Sequence, residues 1–91
     1  MPSYLIESYL PRSRSGELPA VVDRLRRATE SLTAEGVPVR HLRSTFLPGD
    51  ELCLHLFAAE SEATVGEASR RAAIEPARVV QAISDAPGGA T

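Results

Sequence analysis

A chain of 91 residues, 43% of them hydrophobic, is long enough for one modest core and too short for two domains. Its formal net charge of -2 and isoelectric point near 5.6 give no basic field for phosphate-rich partners, so nucleic acid is not an expected partner. The single cysteine, Cys53, leaves no internal disulfide and no cysteine-paired zinc motif.

Ser3 to Leu10 is rich in β-branched and aromatic residues and stops at Pro11, which predicts a first strand followed by a loop over Arg12 to Ser15. Glu7 also interrupts this amino-terminal segment before a signal-peptide core can build. No later stretch approaches the roughly 20 apolar residues of a membrane span, so a cytoplasmic protein without membrane contacts is expected. From Leu18 the apolar residues fall at Leu18, Val21, Val22, Leu25, Ala28 and Leu32, the three-and-four spacing of one helical stripe. Pro19 suits the first turn of that helix and Gly36 its left-handed end.

Val39 to Leu47 and Glu51 to Ala59 read as two strands of a hairpin around Pro48-Gly49-Asp50. With those residues as the loop, Phe46 opposes Leu52, Ser44 opposes Leu54 and Leu42 opposes Leu56, which gathers the apolar side chains on one face. Ser61 then caps a second helix running to about Ala73, with a stripe of Val65, Ala68 and Ala72, and Pro76 separates it from a last strand over Arg78 to Ser84. The order strand, helix, strand, strand, helix, strand predicts an α+β, ferredoxin-like βαββαβ domain over residues 1–85, a four-stranded antiparallel sheet with both helices on one face. A Pro/Gly/Ala tail over 86–91 is expected to be frayed.

The other sheet face is left open, and a small domain with one uncovered apolar face predicts a homodimer through it. By strand parity the hairpin displays His41, Arg43, Thr45, Cys53, His55 and Phe57 on that face, joined by Leu5, Glu7 and Tyr9 from the first strand and Gln81 from the last. Glu7, His41, Cys53 and His55 thus form the candidate metal cluster, because imidazole nitrogen, carboxylate oxygen and thiolate sulfur are the donors that hold nickel, zinc or copper. A two-fold mate would complete an imperfect ligand set. Each residue also has a plainer role: the histidines as hydrogen-bonded interface residues, Glu7 as the partner of Arg43 or Arg40, Cys53 as a small inert core residue. The sequence contains no nucleophile elbow, phosphate loop or dinucleotide fingerprint, and Ser44 and Ser84 have no adjacent base. An RNA-recognition domain of this strand order would need stacking aromatics, for which only Tyr9 and Phe57 stand on the open face.

Taken as an ordered set, Tyr4-Leu5-Ile6-Glu7, Gly36-Val37 with His41 to Phe46, Leu52-Cys53-Leu54-His55, Ala58-Ala59-Glu60, Glu62-Ala63, Arg70-Arg71-Ala72 and Pro76 to Val80 resemble a family of small bacterial domains of unknown function known as nickel-binding-protein-like. The resemblance spans nearly the whole chain. It implies a ferredoxin-like fold, a dimer and a nickel-binding role, with His41 matching a histidine of the family pattern. His55 replaces what is commonly an aromatic or apolar residue, and Glu67 to Ala72 lacks the second-helix histidines of many relatives. Three functions follow: a dimeric nickel or other divalent-metal binder, a small-molecule binder or enzyme of the α/β-barrel type with His41 or His55 as proton-transfer group, and a purely structural interaction module.

Overall fold

The computed structural model describes residues 1–83. The elements run β1 (Ser3–Tyr9), a 3-10 turn (Arg12–Glu17), α1 (Leu18–Ala34), β2 (Val39–Leu47), β3 (Leu52–Ala59), α2 (Glu62–Arg71) and β4 (Arg78–Ala82). The four strands are antiparallel in the order β2-β3-β1-β4, the ferredoxin-like arrangement. Arg12 to Ser15, expected as loop, instead opens the 3-10 turn, because Arg14 folds back onto Glu17 and Arg14 N donates to the Pro11 carbonyl at 2.9 Å. Ser84 and the tail lie outside the described residues.

The helices form where their ends are satisfied. Pro19 lies in the first turn of α1, and after its end Gly36 takes a φ of 93°, the left-handed conformation that a residue without Cβ adopts freely. Ser61 caps α2 by accepting the Thr64 amide at 3.2 Å. The stripe of Leu25, Ala28, Thr29 and Leu32 faces the sheet, and Val65 and Ala68 of α2 join it over Ile6, Phe57, Val39 and Ala59. Arg71 Nη1 donates to Glu35 at 2.7 Å and Arg71 Nε to Glu67 at 2.9 Å, fastening the end of α2 to the end of α1. Among the described residues no helix is long and apolar enough to cross a membrane.

Parity along β3 differs from the sequence expectation. Leu47 pairs with Leu52 and Phe46 with Cys53, so the hairpin loop is Pro48 to Glu51, one residue longer than the turn chemistry suggested. Glu51 supplies the extra position by adopting a φ of 53°. Its carboxylate accepts from the Arg12 amide at 2.7 Å, and its carbonyl accepts from Leu10 N at 2.9 Å, which ties the loop to the end of β1. The extra residue moves every side chain of β3 to the opposite face. A bulge between His41 and Arg43 then shifts β2 by one position at Leu42. Cys53, His55, Phe57 and Ala59 therefore lie beneath the helices, while Leu52, Leu54 and Leu56 occupy the open face.

Candidate functional site

Ile6 opposes His55 and Ser8 opposes Cys53 across the two central strands, so these side chains share the helix-covered face. On the edge strand Ser44 opposes His55, and His41 opposes Phe57 on the same side. The β2 bulge is what admits both His41 and Ser44, three positions apart in sequence, to one face; in an unbroken strand they would point oppositely. The outcome is a buried polar chain through the core. Ser8 Oγ lies 3.2 Å from His55 Nε2, His55 Nδ1 lies 2.6 Å from Ser44 Oγ, and Ser44 Oγ lies 2.8 Å from His41 Nε2.

His55 is 0% exposed, and both of its ring nitrogens are engaged, which is the condition for burying an imidazole in an otherwise apolar layer. Burial, assisted by the neighbouring His41, pushes its pKa down to about 4, so it is neutral at pH 7. His41, half-buried, is also shifted downward, first by burial and then by Arg26, while a backbone hydrogen bond to Arg43 opposes the shift. Burial raises the Cys53 thiol, which keeps it protonated and unreactive at neutral pH.

The two ends of the chain reach two clefts. Ser8 and Cys53 stand in the wall of a cleft of about 540 Å³ between the end of β1, α1 and the segment after α2, with Leu10, Val21, Arg24 and Ile74 around them. Its far wall is held by the Ser69 hydroxyl, which donates to the Ile74 carbonyl at 2.7 Å, and by Arg24 Nε, which donates to the Ala72 carbonyl at 2.9 Å. His41 lines a second cleft of about 530 Å³ on the α1–β2 side, with Arg26, Thr29, Thr33 and Arg40. Volumes of this size suit small organic ligands.

The expected metal cluster does not assemble. Glu7 projects from the open face of β1, where its carboxylate lies 3.8 Å from Arg78 Nε, the plain ion-pair role with a different arginine. His41, Cys53 and His55 are on the other side of the sheet, and Cys53 is a protonated thiol facing Ser8 rather than the histidines' shared oxygen. Among the described residues no group of three or more His, Cys, Asp or Glu side chains comes together to hold a metal ion. Gln81 pairs with Tyr4 on the helix side instead of joining Glu7, whereas Tyr9, Arg43 and Thr45 are on the open face as expected.

Ser8 and Ser44 are the functional candidates that sequence reasoning missed. Ser8 has no base near it in the chain, Ser44 shares a face with His41 only through the β2 bulge, and Ser44 meets His55 only through the longer hairpin loop. The available signal was the Ile6–Ser8 parity of β1, which places a hydroxyl on the face of a core-directed residue.

No protein-family model and no curated protein matches the chain. Among solved structures it is similar to SCO4226 from Streptomyces coelicolor A3(2), with a TM-score of 0.73 and 12% sequence identity, over 92% of this chain and 99% of that one. That likeness shows the fold: a ferredoxin-like α+β domain.

Proposed function

We propose that this protein binds a small organic molecule in the cleft beside Ser8 and that the Ser8–His55–Ser44–His41 chain serves it as a proton-transfer group. The observation that carries this reading is that a fully paired polar chain, costly to build into a core, ends on the wall of a ligand-sized cleft. A purely structural role would be served by apolar residues of the same volume at lower risk to the fold.

The test is a ¹H–¹⁵N correlation spectrum of the labelled protein titrated with a set of small esters, ketones and carboxylic acids. Shifts confined to Ser8, Leu10, Arg24 and Ile74 support the reading, and a spectrum unmoved by the whole set at millimolar concentration overturns it. Nickel chloride added to the same sample decides the metal role that the family resemblance implies. Saturable changes at His41 and His55 at micromolar metal would support it, and none up to millimolar metal would end it.

The protein acts as a homodimer in this reading, through the open face. Leu5, Leu52, Leu54, Leu56 and Val80 lie there half-buried in adjacent rows, the apolar surface that a small domain shields with a second copy. Leu54→Glu sets a carboxylate in the centre of those rows. Light scattering at about 0.1 mM is expected to give a dimer mass for the parent protein and a monomer mass for the variant, and a monomeric parent would end this part of the reading.

A further inference from the structure

The hydrogen-bonded chain permits one proton arrangement in which Ser8 is the donor at its end. With His55 Nε2 accepting from the Ser8 hydroxyl, the neutral ring carries its proton on Nδ1 and donates to Ser44 Oγ. Ser44 then donates to His41 Nε2, which leaves the His41 proton on Nδ1. In this arrangement Ser8 stands at the donor end, in the wall of the first cleft, and His41 beside the second.

We propose that Ser8 is a nucleophile toward small acyl esters bound in the first cleft, with His55 as its general base and Ser44 and His41 as positioning residues. This rests on the ligand-cleft reading above and gives it a substrate class. The Ser8 oxygen bonds to the acyl carbon as its proton passes to His55 Nε2. The ester C–O bond then breaks, and the leaving alcohol takes that proton. Water attacks the acyl-serine carbon, gives a proton to His55, and expels a carboxylic acid as Ser8 Oγ regains its hydrogen. Ester and water are consumed; acid and alcohol are formed.

The two outer members explain how so buried an imidazole can take up a proton. As His55 accepts at Nε2, its Nδ1 proton moves to Ser44 and the Ser44 proton to His41, so the positive charge comes to rest on the half-buried ring beside the second cleft. Arg24, anchored on the Ala72 carbonyl, lines the same cleft as Ser8, and in this proposal its charge offsets that of the acyl oxygen as it becomes negative.

The experiment is incubation of the intact protein with 4-nitrophenyl acetate and, separately, diisopropyl fluorophosphate, followed by peptide mass mapping. One adduct is expected, on Ser8. It should be absent in Ser8→Ala and form at least tenfold more slowly in Ser44→Ala, which removes the partner of His55 Nδ1 and leaves the Ser8 hydroxyl present. ¹⁵N imidazole shifts of the parent protein provide a readout independent of any variant's folding, and both rings are expected to be protonated at Nδ1. An unmodified Ser8, a Ser44→Ala rate equal to the parent's, or a His55 protonated at Nε2 overturns the proposal. Ligand-induced shifts around Ser8 without acylation would fail this inference alone, whereas the absence of both would fail the cleft reading with it.

Discussion

Phe57→Ala is expected to cost about 3–5 kcal/mol of folding free energy, the usual range for deleting a fully buried aromatic ring. Phe57 is the largest fully buried side chain and lies at the centre of the core, among Ile6, Leu25, Val39 and Val65. Its ring centroid is 5.4 Å from that of His41, so the vacated volume opens directly beside the polar chain. Small domains of this size are stable by only about 5–15 kcal/mol, and the variant should be largely unfolded at modest urea. Leu54→Ala provides the contrast. Leu54 is half-buried on the open face, so its truncation should cost well under half as much in dilute protein and more as concentration favours the dimer. The Phe57→Ala cost should not depend on concentration. Urea unfolding of both variants at two protein concentrations reads the difference, and equal costs for the two would refute the assignment of the two sides of β3.

That contrast marks where the sequence is legible and where it is not. The helices are written in stripe spacing and end signals: Leu18 to Leu32 at helical intervals, Pro19 and Gly36 at the ends, Ser61 as a cap with its bond to Thr64. The strand order follows from their alternation with four extended runs. The face of β3 is not written in this way, because both of its parities offer an apolar row. Leu52, Leu54 and Leu56 are the more hydrophobic set, which makes them the natural choice for a core. The chain instead buries Cys53, His55, Phe57 and Ala59, and two features no local pattern announces decide the matter: a loop extended by Glu51 and a bulge at Leu42. His55 is tolerated there because Ser8 and Ser44, distant in sequence by 47 and 11 residues, take up both ring nitrogens. A histidine's preference for solvent therefore points the wrong way whenever its partners lie on other strands. The candidate cluster was legible as two histidines worth attention. Their partners were not, since they depend on register.

Acidification should destabilise the protein between about pH 6.5 and pH 4. His55 has an ordinary imidazole pKa of 6.5 in the unfolded chain and about 4 in the fold. Because the folded value is the lower one, the unfolded state takes up the proton first as pH falls. Stability is whole above pH 6.5, declines by about 1.4 kcal/mol per pH unit toward pH 4, and stops declining on this account below it. The total is on the order of 3 kcal/mol. His41 shifts in the same direction and adds to the slope, with Arg26 as the charged neighbour that opposes its protonation. The groups that α2 turns toward the sheet, Val65, Ala68 and Ser69, carry no charge that would offset the effect. Glu17, Glu35 and Glu67 are held below the usual carboxylate range by Arg14 and Arg71, so their contribution is whole above about pH 4.5 and is lost as pH falls from there, which overlaps only the acid end of the histidine window. Thermal melts followed by circular dichroism at half-unit steps from pH 7.5 to 4 should show the decline in the parent protein. His55→Gln, which keeps a donor and an acceptor but cannot titrate, should lower the melting temperature at pH 7.5 and flatten its pH dependence to the remainder due to His41. A parent protein as stable at pH 4.5 as at pH 7.5 would mean that the imidazole of His55 is not enclosed between the helices and the sheet, and the polar chain would lose its central member.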